Sequence, residues 1–415
     1  MKKKFFYLSM ILAAALTMTT ACSDNDNDSE GTGKAPLVEI SLSEQQKEYA
    51  AQTNQFALNL FGSVYNDANE NDKNVALSPL SVAYVLGMLN EGADGTTGEE
   101  ITKVLGLGSN KAEVNAFFQK MIESAPKVDR KQTVCIANTM FFNTARDIQI
   151  KKEFGNSLET YYSAQVSGLD FTKKQSLSTI NDWCKQATKG MIPKILDELN
   201  PEAVAYLLNA VYFDAKWTNP FDEKYTSKKD FHMDGGKTVK VDMMSKTEYF
   251  GYADNDVFQT VRLPYGNGGY EMLVMLPHSG KNVSDVLKGI TPESIGKGLS
   301  SANVDLQLPR FSVSKTKNLS SILYTMGMST AFTASADFSK ISDTDFMVSL
   351  ILHSVNIKVS EKGTKAAAVT AAGMESSAAP LKPEVFHADH PFMYIIRETT
   401  TGTIFFIGTY TGTAV

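Results

Sequence analysis

The sequence has few of the residues that build metal centres. Its 415 residues include five histidines, scattered so that only His387 and His390 lie close together. These two could bind a metal at the end of a strand, but single histidines more often occupy surface or core positions without a metal. We therefore expect neither a metal nor any other cofactor.

The motifs of the common enzyme classes are missing as well. The sequence has no Gly-x-Ser-x-Gly nucleophile elbow, no His-Glu-x-x-His zinc motif, no Gly-x-x-x-x-Gly-Lys phosphate loop and no Cys-x-x-Cys pair. Each of these motifs supplies a positioned nucleophile, metal or phosphate cradle that its chemistry requires. We therefore expect a protein that is not an enzyme.

Positive charge is not in excess. The chain carries 40 Lys and Arg against 46 Asp and Glu, a formal charge of −6. Removal of an N-terminal signal, described next, takes away three lysines and changes this charge from −6 to −9. Binding to nucleic acid or to a sulfated polysaccharide needs concentrated Lys and Arg. We therefore expect no nucleic-acid partner.

The N-terminus has the parts of a secretory signal peptide. Three lysines at residues 2–4 precede an apolar run at residues 5–16, which is too short to span a bilayer as a mature helix. Small residues follow and end at Ala21, so we assign residues 1–21 to the signal. A cysteine directly after such a run resembles a bacterial lipobox, although Thr19 stands where a leucine is usual.

This resemblance implies a lipid anchor on the thiol of Cys22, and the alternative is an ordinary signal peptide with an incidental cysteine. Residues 22–41 begin with a run of Ser, Asp and Asn that cannot form a core, so we expect a flexible tether. An acidic run directly after the cysteine resembles the surface-export signal of Bacteroidetes lipoproteins. It implies an outer-membrane lipoprotein whose domain is exposed on the cell surface, attached to the membrane only through Cys22.

Two cysteines, Cys135 and Cys184, remain in the body of the chain. A disulfide between them is possible in an oxidising compartment. Alternatively, both are buried thiols, because a domain of this size can build its core without disulfides.

A single α+β domain is expected over residues 42–415, because no linker and no internal repeat interrupts them. Helical periodicity dominates the first half, at residues 46–65, 81–89, 97–105, 111–125 and 177–189. Strand patterns dominate the second half, as hairpins at 257–264 with 270–277 and at 392–396 with 404–408, and as long strands at 304–313 and 347–359.

The segment at residues 361–379 has an unusual pattern of small residues, Glu-Lys-Gly-Thr-Lys-Ala-Ala-Ala-Val-Thr-Ala-Ala-Gly-Met-Glu-Ser-Ser-Ala-Ala. In a strand, successive side chains point to opposite faces. From Thr364 onwards, both charges, Lys365 and Glu375, fall on one face, and the face that begins with Thr364 has none. No proline occurs before Pro380, as a central strand requires. The segment therefore reads as a loop that can enter a sheet, and the alternative is a small-residue linker or an Ala-rich helix.

From about residue 42 to the end, the chain resembles the serpins, a family of serine protease inhibitors. The resemblance implies an α+β fold with three β-sheets, eight or nine helices and an exposed reactive-centre loop at about residues 361–383, in a monomer. The motifs that carry it follow in family order: Asn74-Val-Ala-Leu-Ser-Pro-Leu-Ser81, Ala137-Asn-Thr-Met-Phe-Phe142, Asn209-Ala-Val-Tyr-Phe213 with Trp217 and Pro220-Phe221, Leu308-Pro-Arg-Phe311, the hinge from Glu361 to Thr370, His390-Pro-Phe392 and Phe406-Ile-Gly408.

The family mechanism explains why such a segment should enter a sheet. A protease attacks the loop as a substrate, and the cut loop inserts as a central strand of the largest sheet, carrying the acylated protease with it. Glycine gives the hinge backbone its freedom, and small side chains can enter without overpacking. The hinge residues that the resemblance assigns are Glu361, Gly363, Thr364, Ala366, Ala367 and Ala368.

We therefore expect a suicide-substrate inhibitor. The alternative is a non-inhibitory serpin that acts as a binding or chaperone-like surface protein. Such members usually carry bulky, charged or proline residues in the hinge, and residues 366–373 of this chain have none.

The resemblance also assigns two clusters around the sheet. Ser78, Ser81, Asn209 and His353 match the shutter, where polar groups beneath the central strands exchange hydrogen bonds as the sheet opens. Trp217, together with the hinge glutamate, matches the breach, where insertion begins. Without the family context, Ser78 reads as a helix N-cap and His353 as a core histidine.

The expected cut site follows from a count along the loop. Seventeen residues from Glu361 place the acyl linkage on Ser377, so the scissile bond is Ser377–Ala378, with other positions in 374–379 still open. A small residue suits the shallow pocket of an elastase-like or subtilisin-like protease. Use of Met374 would favour a chymotrypsin-like target, and the lack of Lys or Arg in mid-loop disfavours a trypsin-like one.

Overall fold

A computed structural model describes residues 35–69, 73–146, 148–364 and 382–412. The predicted signal peptide, Cys22 and most of the predicted tether lie outside these ranges. So do three of the hinge residues, Ala366, Ala367 and Ala368, and the predicted Ser377–Ala378 bond. Within the described ranges, no helix is both long enough and apolar enough to cross a membrane.

Eight α-helices occur within these ranges, five of them close to predicted positions. Helix α1 begins with a capping box, in which Ser43 and Gln46 each accept the other's backbone N–H. Ser78 caps α2 by accepting the N–H of Ser81, and Pro79 occupies the first turn. The helices are α1 (Glu44–Asp67), α2 (Pro79–Gly92), α3 (Gly95–Leu105), α4 (Lys111–Ser124), α5 (Lys152–Tyr162), α6 (Lys174–Ala187), α7 (Val283–Gly289) and α8 (Ser320–Met326).

Fifteen strands of the described chain form one six-stranded and one nine-stranded sheet. The strands are β1 (Ala76–Leu77), β2 (Thr133–Asn143), β3 (Gln165–Leu169), β4 (Ala205–Lys216), β5 (Ser227–His232), β6 (Thr238–Asp254), β7 (Phe258–Tyr265), β8 (Tyr270–Pro277), β9 (Ser300–Pro309), β10 (Phe311–Asn318), β11 (Leu352–Ser360), β12 (Gly363–Thr364), β13 (Glu384–His387), β14 (Phe392–Glu398) and β15 (Ile404–Tyr410). The six-stranded sheet has the order β10-β11-β12-β4-β2-β3.

Strand β6 joins two halves of the nine-stranded sheet. Its first part pairs with β5 and its long middle part with β9, which in turn pairs with the edge strand β13. Its last residues pair with β7, and the sheet continues through β8, β14 and β15 to β1. These two halves and the six-stranded sheet correspond to the three sheets that the resemblance implied. The predicted α+β fold is therefore confirmed.

The core lies between the sheets, around α2 and the hairpin of β14 and β15. Every residue of β8 and β15 is buried, and in α2 only Glu91 is partly exposed. Continuous apolar runs of this kind fit strands that are covered on both faces. The N-terminus of α2 packs against β4, which brings the serines at the start of this helix beneath the six-stranded sheet.

Both long strands predicted in the second half differ from those of the structure. The predicted strand 304–313 breaks at Arg310, so that β9 ends before it and β10 begins after it. The backbone N–H of Arg310 donates to the carbonyl of Asp242 (2.7 Å). The guanidinium of Arg310 also donates to the carboxylate of Asp242 (2.8 Å). The predicted strand 347–359 starts only at Leu352, and helices α5, α7 and α8 were not predicted.

The folded chain begins slightly before the predicted domain start at residue 42. Ile40 is buried, and its N–H donates to the hydroxyl of Thr400 (3.2 Å). The N–H of Val38 donates to the carbonyl of Val128 (3.3 Å). Val38 and Ile40, which we assigned to the flexible tether, therefore contact the domain.

Cys184 is a free thiol in a buried apolar cluster beneath α6, together with Phe141 of β2 and Leu208 of β4. Burial disfavours the thiolate and raises the pKa of Cys184 to about 12. Because this thiol is free, the possible disulfide with Cys135 is not formed.

Candidate functional site in the six-stranded sheet

Two hinge residues already lie inside the six-stranded sheet. Gly363 and Thr364 form β12, which pairs antiparallel with β11 on one side and with β4 on the other. Thr364 stands opposite Val359 of β11 and Ala215 of β4. Within the described residues, no ladder joins β11 directly to β4. The sequence led us to expect this whole segment outside the sheet, but Gly363 and Thr364 already lie between the strands.

The environment of Thr364 accepts a small hydroxyl side chain. The residue is only 2% exposed, and its Oγ1 lies 2.8 Å from the hydroxyl of Tyr265, which is also buried. A charged side chain at this position would be buried without a partner, which is costly.

Gly363 fits its position because it has no side chain. Its φ of 139° lies in the region that L-residues with a Cβ rarely adopt. A Cβ built there would lie 2.2 Å from the carbonyl oxygen of Ala215 and 2.7 Å from the Cα of Lys216. The backbone of β4 therefore approaches the hinge too closely for any other residue to fit without movement.

The carboxylate of Glu361 fixes the chain just before β12. Glu361 is 4% exposed; its Oε1 accepts the hydroxyl of Thr226 (2.8 Å) and lies 3.4 Å from the guanidinium of Arg310. Arg310 also binds the carboxylate of Asp242, which holds the pKa of Asp242 below its ordinary value. The backbone N–H of Phe221 donates to the carbonyl of Glu361 (2.8 Å).

Trp217 connects the end of β4 to the turn at residues 360–362, directly before β12. Its indole Nε1 donates to the carbonyl of Ser360 (2.9 Å), and its backbone N–H donates to the carbonyl of Lys362 (3.0 Å). Its ring stacks on Tyr265 with the centroids 4.3 Å apart. Since the hydroxyl of Tyr265 contacts Thr364, one aromatic pair contacts both the turn and the inserted strand.

His353 lies on β11, below the inserted residues. It is buried, and its Nε2 accepts the backbone N–H of Ser78 (3.0 Å). Accepting this bond requires Nε2 to be unprotonated, so the neutral imidazole carries its proton on Nδ1. Burial lowers the pKa of His353 to about 4, in agreement with a neutral ring.

Asn209 lies on β4, and His353 lies on β11. A longer β12 would run between these two residues. The Oδ1 of Asn209 accepts the hydroxyl of Ser81, and its Nδ2 donates to Oδ1 of Asn138 on β2 (2.6 Å). Asn138 in turn donates to the carbonyl of Tyr162 (2.6 Å). Ser78 and Ser81, at one end of α2, therefore hold the two strands that flank β12, one serine for each strand.

The burial of His353 makes the stability of the native fold dependent on pH. An unfolded chain keeps an ordinary histidine pKa of about 6.5, whereas folding lowers it to about 4. The unfolded state therefore binds more protons below pH 6.5, and stability is lost as the pH falls towards 4. We expect a loss on the order of 2–3 kcal/mol from this group between about pH 7.5 and pH 4.5. Urea unfolding at the two pH values measures it.

The matched variant is His353→Gln, whose amide oxygen can still accept the N–H of Ser78 but does not titrate. Between the same two pH values, the free energy of unfolding of this variant should fall less than that of the parent. The difference between the two losses should be on the order of 2–3 kcal/mol. Equal pH dependence in the two proteins would show that His353 is not the titrating group.

The sequence did not identify three residues of this site. Arg310 and Asn138 were noticed only as parts of motifs, and Tyr265 was not singled out. Asn138 could have been found as an amide side chain in a mostly apolar strand, since a buried amide needs partners. The register that places it opposite Asn209 is not visible in one sequence.

The two neighbouring histidines have separate partners. His387 Nε2 lies 2.9 Å from Asp305, whereas His390 contacts Asp389 and the carbonyl of Pro277. Over the described ranges, no group of three or more His, Cys, Asp or Glu side chains is arranged to hold a metal ion.

Comparison with known proteins gives a consistent result. The family model described as serpin (serine protease inhibitor) matches residues 51–412. Serpin B6 of Pongo abelii is 32% identical over 369 residues, which cover 86% of this chain and 96% of that protein. An uncharacterised serpin-like protein of Methanosarcina mazei is 30% identical over 374 residues, which cover 87% of this chain and 86% of that protein.

Solved structures give the same family. The thermophilic serpin tengpin in its native state superposes with a TM-score of 0.82 at 29% identity, covering 92% of this chain and 97% of that one. Human thyroxine-binding globulin in complex with thyroxine superposes with a TM-score of 0.81 at 27% identity, covering 89% and 100%.

Proposed function

The chain belongs to the serpin family, whose members are mostly protease inhibitors rather than enzymes, and on this premise we propose that it inhibits serine proteases as a suicide substrate. The catalytic serine of the protease forms an ester with the carbonyl of Ser377, and the amine of Ala378 leaves. The cut loop then inserts between β11 and β4 before water hydrolyses the ester. Insertion carries the protease along the sheet and distorts its active site.

The position of β12 is the observation that carries this proposal. The hinge has a backbone path between β11 and β4 that accepts strand pairing on both sides. Thr364 occupies this path with a buried side chain, and the next inward position is an alanine. A loop that lengthens β12 therefore extends an existing strand, which avoids the cost of nucleating a new one.

Continued insertion in the same register would place small side chains at the buried positions. Because β12 is antiparallel to both neighbours, each two-residue step along the loop moves two residues back along β11 and β4. Ala366 would come to lie between Ile357 and Phe213. Both of these are buried, so a large side chain in place of Ala366 would overpack the site.

The same register would bring Thr370 between His353 and Asn209. These are the two shutter residues that α2 holds from below through Ser78 and Ser81. A threonine hydroxyl can donate and accept hydrogen bonds, so it can exchange with partners of this kind. Insertion of Thr370 would thus replace the existing hydrogen bonds of His353 and Asn209 with new ones, so that neither side chain is left without a partner.

The target and the cut site follow from the loop sequence. Ser377 suits an elastase-like or subtilisin-like protease with a shallow pocket. The loop has no Lys or Arg between residues 365 and 382, which argues against a trypsin-like target. A cut after Met374 would point to a chymotrypsin-like target.

A non-inhibitory role as a binding or chaperone-like surface protein is the alternative. Thyroxine-binding globulin, which has the same fold, was solved in complex with thyroxine. The absence of bulky, charged or proline residues from 366–373 supports inhibition for this chain.

We also propose that a lipid on Cys22 anchors the monomeric domain to the outer membrane with the loop facing outward. The N-terminal sequence supports this location. The protease it would meet there is extracellular, either a host enzyme or one of microbial origin.

Separate incubations of residues 35–415 with elastase, subtilisin, chymotrypsin and trypsin test the inhibitory function. We expect a covalent complex that survives denaturing gel electrophoresis with elastase or subtilisin. Mass spectrometry should identify a released peptide that begins at Ala378. Each protease inactivated beforehand at its serine is the control and should form no complex.

Clean cleavage by all four proteases without any complex would contradict inhibition of these classes and favour the non-inhibitory alternative. A complex whose peptide begins at a residue other than Ala378 would keep the mechanism and correct the cut site.

A further inference from the structure

A surface cleft of about 190 Å³ lies beside Trp217, where the nine-stranded sheet meets the end of β4. Cavities for drug-sized ligands measure about 300–1,000 Å³, so this one fits a molecule with a single ring. Its lining includes Trp217, Asn219, Tyr249, Phe250, Arg262 and Pro264.

Gly251 forms part of the floor of the cleft, and its lack of a side chain leaves room for that of Arg262. Gly251 on β6 stands between Arg262 on β7 and Ser301 on β9 in the register of the sheet. The side chain of Arg262 leans over this gap, since a Cβ on Gly251 would lie 2.8 Å from its Nε. The guanidinium is therefore held above the floor of the cleft.

Two aromatic rings line the same cleft. Trp217 is buried and fixed by its stack on Tyr265. Tyr249 is 72% exposed, the largest exposed fraction among the large hydrophobic side chains of the described chain. A rigid buried ring on one wall and an uncovered ring on another can hold a flat apolar group between them.

The charge of Arg262 is only weakly compensated. Its side chain is 48% exposed, and its Nε lies 3.9 Å from Glu271. Glu271 is bound more closely by Arg397, whose Nε and Nη2 both lie 2.7 Å from its Oε1. The guanidinium of Arg262 therefore has donors available for a second carboxylate.

We propose that this cleft binds a small aromatic carboxylate. Its ring lies against Trp217 and Tyr249, and its carboxylate accepts hydrogen bonds from the guanidinium of Arg262. The amide Nδ2 of Asn219 has only a long contact to Glu248 (3.5 Å) and supplies a further donor at the cleft. The site shares Trp217 with the breach, but ligand binding there does not rest on the proposed inhibitory function.

Trp217 makes binding measurable, because the chain has only two tryptophans. In the purified Trp183→Phe protein, the emission of Trp217 is followed during titration with phenylpropionate. We expect a saturable change for this anion. For phenylpropanol, which has the same ring without the charge, we expect affinity about tenfold weaker, because hydrogen bonds to a charged group are lost.

The variant Arg262→Gln should weaken phenylpropionate about tenfold and leave phenylpropanol unchanged. Lys281→Gln, which removes an exposed cation outside the cleft, is the matched control and should bind like the parent. A thermal shift with the tryptophans intact gives a second readout: phenylpropionate should raise the Tm of the parent but not that of Arg262→Gln. No saturable signal, or equal affinities for Arg262→Gln and the parent, would overturn the proposal.

Discussion

Thr364→Arg is expected to convert the inhibitor into a plain substrate. Thr364 is 2% exposed between β11 and β4, and within the described part of the chain its side chain forms a hydrogen bond with the hydroxyl of Tyr265 and contacts no carboxylate. A buried guanidinium without a carboxylate costs several kcal/mol, and about 1.4 kcal/mol changes a rate tenfold. The yield of covalent protease complex, measured on denaturing gels, should therefore fall at least about tenfold. The rate of loop cleavage should stay within about twofold of the parent, because the cut site is not altered.

Thr364→Ser is the matched control, because it keeps the hydroxyl that contacts Tyr265 and adds no charge. It should trap protease nearly as well as the parent. If Thr364→Arg trapped as well as the parent, insertion through this position would be wrong.

Gly363→Ala should have the second large effect. The glycine φ of 139° is strained for alanine, and the added Cβ would lie 2.2 Å from the carbonyl oxygen of Ala215. We expect the variant to lose β12 and at least about 2 kcal/mol of native stability, as strained backbone and steric overlap cost on this order. Urea unfolding measures the stability, and gel assays should show cleavage with little complex.

Gly298→Ala is the control that distinguishes the effect of backbone strain from the effect of steric overlap with β4. Its φ of 74° is also left-handed, but a Cβ there would have no atom within 4 Å. It should cost about 1 kcal/mol of stability and leave protease trapping unchanged. Equal loss of trapping in both variants would mean that general destabilisation, and not the approach of β4 to Gly363, explains the effect.

Much of the fold could be predicted from local patterns, because hydrophobic periodicity and turn residues are read over short distances. The hairpin of β7 and β8 and that of β14 and β15 lie within a few residues of their predicted bounds. Helix α7 was missed although Asn282 and Asp285 form a capping box at its start. Its seven residues are too few for a helical period to stand out.

The break at Arg310 was not predicted, although the pattern of buried residues marks it. The buried positions are 304, 306, 308 and 309 in β9 but 311 and 313 in β10, so the alternation shifts by one residue at Arg310. What bends the chain is the bond from its N–H to Asp242, 68 residues away in sequence. A single sequence does not reveal such long-range partners.

For the hinge, alternation along the segment predicted which face would be uncharged, and Thr364 on that face is buried. Alternation does not tell how far the segment enters the sheet, because this depends on the space between β11 and β4. The shutter residues came from family resemblance, and the structure gives their partners. Neither alternation nor the resemblance identified Asn138 as the partner of Asn209, because their contact depends on the register between β2 and β4.

Insertion of the cut loop between β11 and β4 can be tested by thermal unfolding before and after a single cut in residues 365–381. A new central strand adds pairing on both sides, and a gain of a few kcal/mol shifts Tm by several degrees. We predict that the cut protein, freed of protease, unfolds at least about 10 °C above the uncut protein, and that Thr364→Arg gains much less. An unchanged or lower Tm after the cut would contradict insertion.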